Sequence, residues 1–445
     1  MNKVKEEYKR KLISFEDFPN LIKSGDTIMN ALGTGACSRE LHEALLARAE
    51  EFENVTFQDT VQVKPSPFHD IETAKRVRGH INTQAYYFLN PVRKIGASKV
   101  TDFIPVMSED CTQVITSQAN VFTLMCTPPN AQGYVNLGLC NFFSYDLIME
   151  GREKGALRTV VAEVNENMPV VFGQNWVPID KIDYFIEHKS ALPLFGRPEP
   201  TQLEKTIGDY VIDLVEDGDC IQMGIGGLTE AVIARLDTKR DLGINSEMIP
   251  MGISELVAKG IVTNSRKVIY NGETTATFGM GDQEMYDYMT ENPTCTLYPT
   301  KYLNHAAVIA KNPQVTAINM AIFVDLTGQI CAEGIGHRQI SGTGGQLDFA
   351  IGAAWSEGGK SLTLVTSARK LADGSMGSSI LAELPPGTPI TVPRSFADTI
   401  ITEYGVAKLK GKSRRERAKA LIAIAHPDFR AELTKRAEQI FYYQD

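Results

Sequence analysis

The feature that most constrains the fold of this 445-residue chain is an internal repeat, in which one succession of elements occurs twice. In the first half, a predicted helix at residues 15–23 stops at Gly25. A short strand at residues 27–30, a glycine-containing turn and a helix at residues 40–45 follow. Glycine adopts the left-handed conformation more easily than any other residue, so Gly25 marks the end of the first helix.

The second half repeats this succession 193 residues later. A predicted helix at residues 207–214 stops at Gly218, and a strand at residues 220–223 follows. A turn of closely spaced glycines then leads into a helix at residues 230–236. The two halves therefore begin with the same local plan.

Two further pairs of segments match in the same order. Residues 130–135 resemble residues 325–330 at a spacing of 195, and residues 182–187 resemble residues 397–402 at a spacing of 215. Three matches in one order favour duplication over chance similarity between two α/β segments. Each half alternates short β-branched runs with helical periods, which predicts two similar open α/β domains with mainly parallel sheets.

A proline-containing segment at residues 191–200 separates the two halves and is unable to continue a helix. We therefore predict an N-terminal domain over residues 1–192 and a C-terminal domain over residues 201–445. Ligands commonly bind in clefts between domains. We expect the active site in the cleft between these two.

Composition and charge exclude several classes of protein. Hydrophobic residues make up 43% and charged residues 22% of the chain, as is usual for a globular enzyme. The net charge of −9 argues against a general nucleic-acid binder, although one local basic patch suffices for an anionic ligand. Residues 1–12 lack the apolar segment of a signal peptide, and we find no apolar run long enough to span a membrane. We therefore expect a cytoplasmic protein with no membrane association.

The seven cysteines and seven histidines lack the spacings that are typical of metal sites. We predict no metal site. The number of cysteines is odd, so we expect reduced and mostly buried thiols, with a catalytic cysteine as an alternative.

The first candidate site is the turn at residues 222–227, where a strand, glycines and a helix start come together. Backbone N–H groups and the positive end of a helix suit an anion or a developing oxyanion. A tight structural turn is one alternative. A dinucleotide site is another, although Thr229 stands where that motif has its third glycine. Glu247, 23 positions after Gly224, is near the place where that motif has an acidic residue.

The second candidate is Glu247 itself, near the end of a predicted strand at residues 244–249. In α/β sheets, ligands bind beyond the C-terminal ends of the strands. A glutamate at that position, close to a glycine turn rich in N–H donors, is placed to act on a ligand. The alternative is a surface glutamate at the end of a strand.

Two other segments are candidates for ligand binding. Residues 334–349 contain five glycines, which allow the backbone to approach a ligand closely and surround it with N–H groups, unless the segment is a plain flexible loop. The basic stretch at residues 408–417 has a suitable charge for phosphate groups, although a solvated helix start is the more common use of such a stretch.

Several segments make the chain resemble the acetyl-CoA hydrolase/transferase family. Within it, the resemblance is greatest to the 4-hydroxybutyrate and butyryl-CoA:acetate CoA-transferases, and it extends over nearly the whole chain. The segments that carry it are QMGIGG (222–227), DLGINSEMI (241–249), ATFGMGDQEMYDY (276–288), SGTGGQLDF (341–349), EYGVAKLKGKS (403–413) and IAHPDFR (424–430).

The resemblance implies CoA-transferase-like domains and a role for each matching residue. Glu247 corresponds to the family nucleophile, and Gln222 lies beside the reacting carbonyl. The residues implied to form the oxyanion and CoA-binding turns are Gly226, Gly227, Ser341, Gly342, Gly344, Gly345 and Gln346. The resemblance also implies coenzyme A and acyl-CoA as substrates without a permanently bound cofactor, a short-chain carboxylic acid as the second substrate, and a homo-oligomer.

One departure bears on the acid substrate. The 4-hydroxybutyrate enzymes carry a histidine just after the first strand of the N-terminal domain, and residues 30–36 contain none here. That domain helps to shape the acyl pocket in the family. The acid therefore need not be 4-hydroxybutyrate.

The reaction implied is a ping-pong exchange through a thioester between Glu247 and CoA. Hydrolysis of acetyl-CoA is an alternative that uses the same residues, and sequence does not separate it from transfer. A nicotinamide-dependent dehydrogenase is a more distant alternative, which rests on the glycine turn and Glu247. A non-enzymatic module that binds CoA or an acid is the third.

Overall fold

The computed structural model describes residues 2–64, 66–89, 92–224, 226–371 and 373–443, which form two compact units. The first unit comprises Met1–Gly196, Thr275–Leu303 and Gln339–Gly344, and the second comprises Arg197–Thr274, Asn304–Arg338 and Gly345–Asp445. Each unit is formed by several stretches that are not continuous in sequence. The predicted domain limits at residues 192 and 201 stay a prediction. Within the described ranges, no helix has the length and apolar character needed to cross a bilayer.

A sheet of seven strands forms the centre of the first unit, and its neighbouring strands run parallel. The strands Val121–Cys126 and Thr159–Val164 are buried along their whole length and mostly apolar, as is typical of parallel sheets covered on both faces. The spatial order is β7-β6-β5-β1-β2-β3-β4, where the strands in chain order are β1 (Thr27–Asn30), β2 (Val55–Asp59), β3 (Ile81–Ala85), β4 (Thr101–Phe103), β5 (Val121–Cys126), β6 (Thr159–Val164) and β7 (Tyr184–Glu187).

A sheet of six strands forms the centre of the second unit. Its strands are parallel except for the last pair, which is antiparallel. The spatial order is β9-β8-β10-β11-β12-β13, where the strands are β8 (Cys220–Met223), β9 (Gly243–Ile244), β10 (Val315–Met320), β11 (Lys360–Leu364), β12 (Thr399–Thr402) and β13 (Gly405–Lys408). The predicted α/β class with mainly parallel sheets is confirmed.

Helices accompany both sheets. Those of the first unit are Asn2–Arg10, Arg39–Ala47, Ile71–Arg76, Arg93–Ala97, Ser108–Gln118, Ser144–Lys154, Gln283–Met289 and Thr300–Leu303. Those of the second are Gln202–Ile212, Gly227–Ile233, Ile253–Ala258, Ala306–Ile309, Gln346–Trp355, Arg414–Ile424 and Pro427–Phe441. Short 3-10 helices cover Phe18–Leu21, Gly33–Gly35, Ala49–Glu51, Pro67–His69, Ile179–Lys181 and Leu236–Thr238.

Short strands outside the two main sheets complete the units. They are Tyr134–Asn136, Phe172–Gly173, Trp176–Pro178, Met248–Ile249, Thr274–Ala276, Phe278–Gly279, Cys295–Leu297, Phe323–Asp325, Ile330–Cys331, Gly334–Ile335, Arg338–Gln339, Ala368–Lys370, Met376–Ser378 and Ile380–Leu381. Residues 188–201, which include the predicted linker, contain neither helix nor strand.

The two sheets repeat one topology. In the first, β1 lies between β2 and β5, and β6 and β7 follow outward from β5. In the second, β8 lies between β9 and β10, and β11 and β12 follow outward from β10. Five strands thus occur in the same spatial order in both units, as the internal duplication predicts.

The entry to the first strand of each sheet is built from the same contacts. Gly25 and Gly218 have φ angles of 83° and 85°, in the left-handed region that favours glycine. The next residue in each case is an aspartate whose carboxylate accepts a backbone N–H from three residues earlier, at 2.7 Å for Asp26 and 3.0 Å for Asp219. The matched turns explain why strands β1 and β8 begin where the sequence predicts.

The second predicted match is a shared turn after β5 and β10. The Oδ1 atom of Asn130 accepts the N–H groups of the residues two and four positions later, both at 3.0 Å. Asp325 accepts the equivalent N–H groups at 2.9 Å and 3.0 Å. Side chains of Asn and Asp favour such turns because they replace a backbone acceptor.

The third predicted match is an aspartate that joins two neighbouring strands. Asp183 accepts the N–H of Val160 through Oδ2 at 2.7 Å, and Asp398 accepts the N–H of Ser361 at 3.0 Å. The first bond joins the residue before β7 to the start of β6, and the second joins the residue before β12 to the start of β11. The repeat therefore extends to single hydrogen bonds.

The predicted helix at residues 15–23 is shorter than expected. The structure has a 3-10 helix at Phe18–Leu21, because Pro19 lacks an N–H group and its ring restricts the preceding residue. Ser14 and Asp17 nevertheless exchange backbone-to-side-chain hydrogen bonds of 3.0 Å and 3.3 Å at the start of the segment.

Candidate active site

Glu247 lies in a loop at the carboxyl end of the second sheet. The predicted continuous strand at residues 244–249 is wrong, since β9 ends at Ile244 and a separate short strand begins at Met248. The Glu247 side chain is partly buried. Glu247 therefore lies in the loop beyond a strand and not within one, and such loops are where parallel sheets bind ligands.

Ser246 explains why the strand ends. Its Oγ atom accepts the N–H of Met223 at 3.3 Å and donates to the carbonyl oxygen of the same residue at 3.4 Å. A side chain thus takes over the contacts that a main-chain ladder would make with the neighbouring strand. The backbone is then able to turn, and Glu247 is the first residue after the turn.

The end of β9 is fixed from the other side by a buried lysine. The Nζ atom of Lys267 donates to the carbonyl oxygens of Ile244 at 2.8 Å and Glu273 at 2.6 Å. Asn264 accepts the N–H of Ile244 at 2.8 Å. Burial lowers the pKa of Lys267 to about 8. These contacts give the loop that carries Glu247 a rigid starting point.

Asn304 links Glu247 to a second carboxylate. Its side-chain Nδ2 lies 3.4 Å from Oε2 of Glu247 and 3.2 Å from Oδ2 of Asp348. Asn304 and Asp348 are both 0% exposed. One buried amide group therefore donates toward two carboxylates.

Gly345 is the residue that lets Glu247 come this close. A Cβ atom at this position would lie 1.8 Å from Oε2 of Glu247 and 2.6 Å from Nδ2 of Asn304. Its φ of −89° is open to any residue, so space and not backbone conformation requires glycine. Gly345 caps the ten-residue helix Gln346–Trp355, whose positive end favours a nearby carboxylate.

Gln222 makes a reciprocal amide pair with Asn319 across β8 and β10. Gln222 Nε2 donates to Asn319 Oδ1 at 3.1 Å, and Asn319 Nδ2 donates to Gln222 Oε1 at 2.9 Å. Each amide nitrogen keeps a second hydrogen. The role of Gln222 beside a reacting carbonyl stays a prediction.

The other glycines of the first candidate turn are closely packed. A Cβ at Gly226, whose φ is 132°, would lie 2.8 Å from Sδ of Met320. A Cβ at Gly227 would lie 2.5 Å from Oε1 of Glu204. Ile225 lies outside the described residues. Packing alone thus accounts for both glycines, and their oxyanion role stays a prediction.

Ser341, Gly342 and Gly344 belong to the first unit. Ser341 is buried, and a Cβ at Gly342 would lie 2.5 Å from the carbonyl oxygen of Tyr86. Gly344 has a φ of 56°, and its carbonyl accepts the N–H of Ser108 at 3.2 Å. These contacts fix the backbone of the first part of the glycine-rich segment.

The glycine-rich segment passes from the first unit to the second between Gly344 and Gly345. Gln346 is buried, and its Nε2 atom has no hydrogen-bond partner within the described part of the chain. Within the glycine-rich segment, Gly345 closely approaches Glu247.

A second buried acid, Asp59, ends strand β2 of the first sheet. Its Oδ2 lies 2.7 Å from Nε2 of His69, and its Oδ1 accepts a hydrogen bond from Gln62. A cavity in the first unit is lined by these three residues together with Thr83 and aromatic side chains. The sequence analysis did not identify this group.

The cysteines are confirmed as buried, free thiols. Burial raises the pKa of Cys220 to about 11 and that of Cys295 to about 12. Since the thiolate is the nucleophilic form, such thiols are poorly suited to covalent catalysis.

The basic stretch at residues 408–417 has structural uses for two of its arginines. Arg415 donates to the carbonyl oxygen of Phe441 at 2.7 Å, and Arg417 donates to that of Thr327 at 3.1 Å. The stretch also contains the capping residue of the next helix, Ser413. A phosphate-binding role for the stretch stays a prediction.

Sequence reasoning missed three residues that contact Glu247 or the groups beside it, namely Asn304, Asp348 and Lys267. Asn304 and Lys267 lie 57 and 20 positions away from it, outside the segments that suggested a site. Asp348 lies inside the segment SGTGGQLDF, and its position three residues after the Gly345 cap was an available signal.

Comparison with known proteins gives two matches to family models. The acetyl-CoA hydrolase/transferase N-terminal domain matches residues 1–194, and the C-terminal domain of the same family matches residues 281–437. Together these matches extend over most of the chain.

Two relatives match over nearly their whole length. A probable butyrate:acetyl-CoA coenzyme A-transferase of Syntrophomonas wolfei is 36% identical, with 98% of this chain and 97% of the relative covered. A 4-hydroxybutyrate coenzyme A transferase of Clostridium kluyveri is 34% identical, with 98% and 99% covered.

A solved structure has the same fold. The crystal structure of RipA from Yersinia pestis superimposes with a TM-score of 0.86 at 29% sequence identity. The match covers 98% of this chain and 99% of RipA. The similarity thus includes the segments around the candidate site.

Proposed function

The chain belongs to the acetyl-CoA hydrolase/transferase family, and from that premise we propose that it exchanges CoA between an acyl-CoA and a short-chain carboxylic acid, with Glu247 as the nucleophile. The enzyme is a CoA-transferase, as are relatives with 34% and 36% identity over nearly the whole chain. The donor is of the acetyl-CoA or butyryl-CoA type.

One observation carries the choice of Glu247. Its Oε2 atom occupies the space that a side chain at Gly345 would fill, at the positive end of the helix Gln346–Trp355. The first N–H groups of a helix have no partner inside it. A carboxylate at this place lies next to donors that also suit an oxyanion formed on that carboxylate.

The first half of the reaction joins CoA to the enzyme. An oxygen of Glu247 attacks the carbonyl carbon of the thioester, the C–S bond breaks, and CoA leaves as a thiolate with a mixed anhydride remaining. The thiolate then attacks the glutamyl carbonyl carbon. The C–O bond of the anhydride breaks there, which releases the donor acid and leaves a glutamyl-CoA thioester.

The second half repeats these steps in reverse with the acceptor acid. The acceptor carboxylate attacks the glutamyl thioester and displaces the CoA thiolate, which gives a new mixed anhydride. The thiolate attacks the acyl carbonyl of that anhydride, and Glu247 leaves as a carboxylate. The bonds formed and broken are of the same kinds in both halves, so the exchange needs no ATP.

Each attack passes through a tetrahedral oxyanion, and the glycine turns supply N–H donors for it. One such donor is worth roughly 3 to 4 kcal/mol in other oxyanion holes. The donors that we assign to this task are the Gly345 and Gly344 amides, with Gly226 and Gly227 as further members. Gln222 contributes the second hydrogen of its amide to the reacting carbonyl.

The test is mass spectrometry of the protein after incubation with acetyl-CoA or butyryl-CoA. A CoA adduct on the peptide that contains Glu247 is the expected result, and butyrate or acetate should discharge it. Glu247→Gln should form no adduct until its amide hydrolyses. Glu247→Asp should form it about a hundredfold more slowly, since about 1 Å of displacement has that effect.

Two outcomes would contradict the proposal. The first is CoA exchange at the normal rate by Glu247→Ala. The second is release of CoA from acetyl-CoA at one rate with and without an acceptor acid, which would identify a hydrolase. Asp325→Asn, a buried aspartate in the same unit, is the matched control and should form the adduct normally.

A further inference from the structure

We infer that Asp348 is a positioning residue, which keeps the amide N–H of Asn304 directed at the nucleophile throughout the reaction. The inference rests on the proposed function of Glu247. Three atoms carry it, namely Oε2 of Glu247, Nδ2 of Asn304 and Oδ2 of Asp348, with separations of 3.4 Å and 3.2 Å.

The amide of Asn304 has two possible orientations of similar shape. In one, its NH₂ group faces the two carboxylates, and in the other its oxygen does. Within the described part of the chain, the Oδ1 atom of Asn304 has no hydrogen-bond partner. The orientation therefore depends on the acceptors on the nitrogen side.

The two acceptors differ in what happens to them during turnover. Glu247 loses its negative charge when it becomes an anhydride or a thioester, and a neutral acyl oxygen is a weaker acceptor than a carboxylate. Asp348 forms no covalent bond in the proposed sequence and keeps its carboxylate. It is therefore the acceptor that holds the amide when Glu247 no longer does.

The surroundings of Asp348 favour this role. The side chain is 0% exposed, so water does not compete for its oxygens. It stands at the third position of the helix Gln346–Trp355, where the helix dipole stabilises a carboxylate. The same helix begins at Gly345, against which Glu247 lies. Asp348 is thus fixed to the element that contacts the nucleophile.

The experiment measures glutamyl-CoA formation in a single turnover, together with kcat and KM. Asp348→Leu keeps the branching of the side chain at Cγ but removes the acceptor. We expect formation of the adduct to slow about a hundredfold, with the KM for acyl-CoA within about twofold. Asp348→Asn offers an amide oxygen to Asn304 and should recover the rate to within about tenfold of the parent.

A double-mutant cycle with Asn304→Ala tests whether Asp348 acts through Asn304. If it does, adding Asp348→Asn or Asp348→Leu to Asn304→Ala should cause no further loss, because coupled residues are not additive. If Asp348→Leu does not fold, the double-mutant cycle is measured with Asp348→Asn. Asp325→Asn serves as the matched control and should change the melting temperature but not the rate of adduct formation.

Additive losses of rate in the double-mutant cycle would overturn the inference. So would a higher KM and a lower melting temperature with an unchanged rate of adduct formation, which would leave a structural role for Asp348. The proposed function fails differently. In that case the parent protein forms no adduct on Glu247 with either acyl-CoA, whatever residue stands at position 348.

Discussion

Both halves of the chain place an acid at or just beyond the end of the strand that follows the first strand of the sheet, but the two acids have different surroundings. Asp59 in the first half lies 2.7 Å from His69 and accepts from Gln62. Glu247 in the second half faces the amide of Asn304 and the start of a helix at Gly345. The first acid thus lies beside an imidazole, and the second lies beside a neutral amide.

A repeated scaffold therefore does not by itself produce a repeated site. The strand order, the turns and the aspartate anchors are shared, so they specify the fold. The position of the proposed nucleophile depends on local contacts of the second half, such as the contact of Ser246 with Met223 where the strand breaks. Four experiments separate the two halves.

The largest effect is expected for the two acids themselves. Glu247→Ala should lower kcat by about 10⁴-fold or more, as loss of a nucleophile does in other enzymes, with little change in stability. Asp59→Ala should instead lower the free energy of unfolding by about 1–3 kcal/mol, because it leaves Gln62 and His69 without an acceptor. Steady-state kinetics and urea unfolding of both variants check this. A Glu247→Ala variant that is less stable but fully active would contradict the expected difference between the two acids.

The next largest effect concerns one glycine in each half. Gly345→Ala places a methyl group 1.8 Å from Oε2 of Glu247 and should lower kcat by about a hundredfold. Gly35→Ala in the first unit meets Cβ of Cys140 at 3.0 Å, which a small shift relieves. Its kcat should stay within about twofold. Equal losses in the two variants would contradict the specific role of Gly345.

The matched aspartates at the entries to β1 and β8 should differ in their contribution to stability. Asp219 is 0% exposed and contacts Lys360 at 3.0 Å and Thr316 at 2.8 Å, whereas Asp26 pairs with the more exposed Arg158. Asp219→Ala should cost about 3 kcal/mol, because the partly buried Lys360 and the hydroxyl of Thr316 both lose their buried acceptor. Asp26→Ala should cost about 1–2 kcal/mol. Chemical unfolding measures both, and a larger loss for Asp26→Ala would reverse the comparison.

The smallest effect is a pH dependence in the first half. Burial raises the pKa of Asp146 to about 6 from its ordinary 3.8. The folded state then binds the proton more tightly than the unfolded state, so this group stabilises the fold below pH 4 and the contribution is lost as pH rises to 6. Asp146→Asn should raise stability at pH 7.5 by about 1–2 kcal/mol, a value reduced for solvent screening, and by little at pH 4.

Urea unfolding at both pH values measures the Asp146 effect. For Lys267 in the second half, the contribution to stability changes with pH in the opposite direction, because burial lowers its pKa to about 8. The unfolded state binds that proton more tightly between pH 8 and the ordinary lysine value near 10.5, so the Lys267 contribution to stability rises with pH in that window. A gain for Asp146→Asn that is the same at pH 4 and 7.5 would exclude titration as its cause.

The parts of the fold that the sequence predicts are those with local signals. Strands β1 and β8 have their predicted limits, because Gly25 and Gly218 fix the turns before them. The break in the strand before Glu247 was not predicted, since it depends on a side-chain contact between Ser246 and a neighbouring strand. Local propensity contains no information about such a contact.

The candidate site follows the same division. Glu247 and the glycine segments have recognisable patterns, so the sequence finds them. Asn304 joins Glu247 through the fold from 57 positions away, and no local pattern marks it. Lys267 is likewise identified only when its burial and its carbonyl partners are known. Predictions from one sequence therefore find the motif residues and miss those that hold them.

The amide pair between Gln222 and Asn319 has a consequence for the conditions under which the enzyme works. Both side chains are neutral, so neither dissolved salt nor a change of acidity alters their attraction in the way that it alters an ion pair. The junction of β8 and β10 should therefore keep its geometry in brines and in mildly acid media alike. Any sensitivity of the enzyme to such media would then originate elsewhere, in its charged groups.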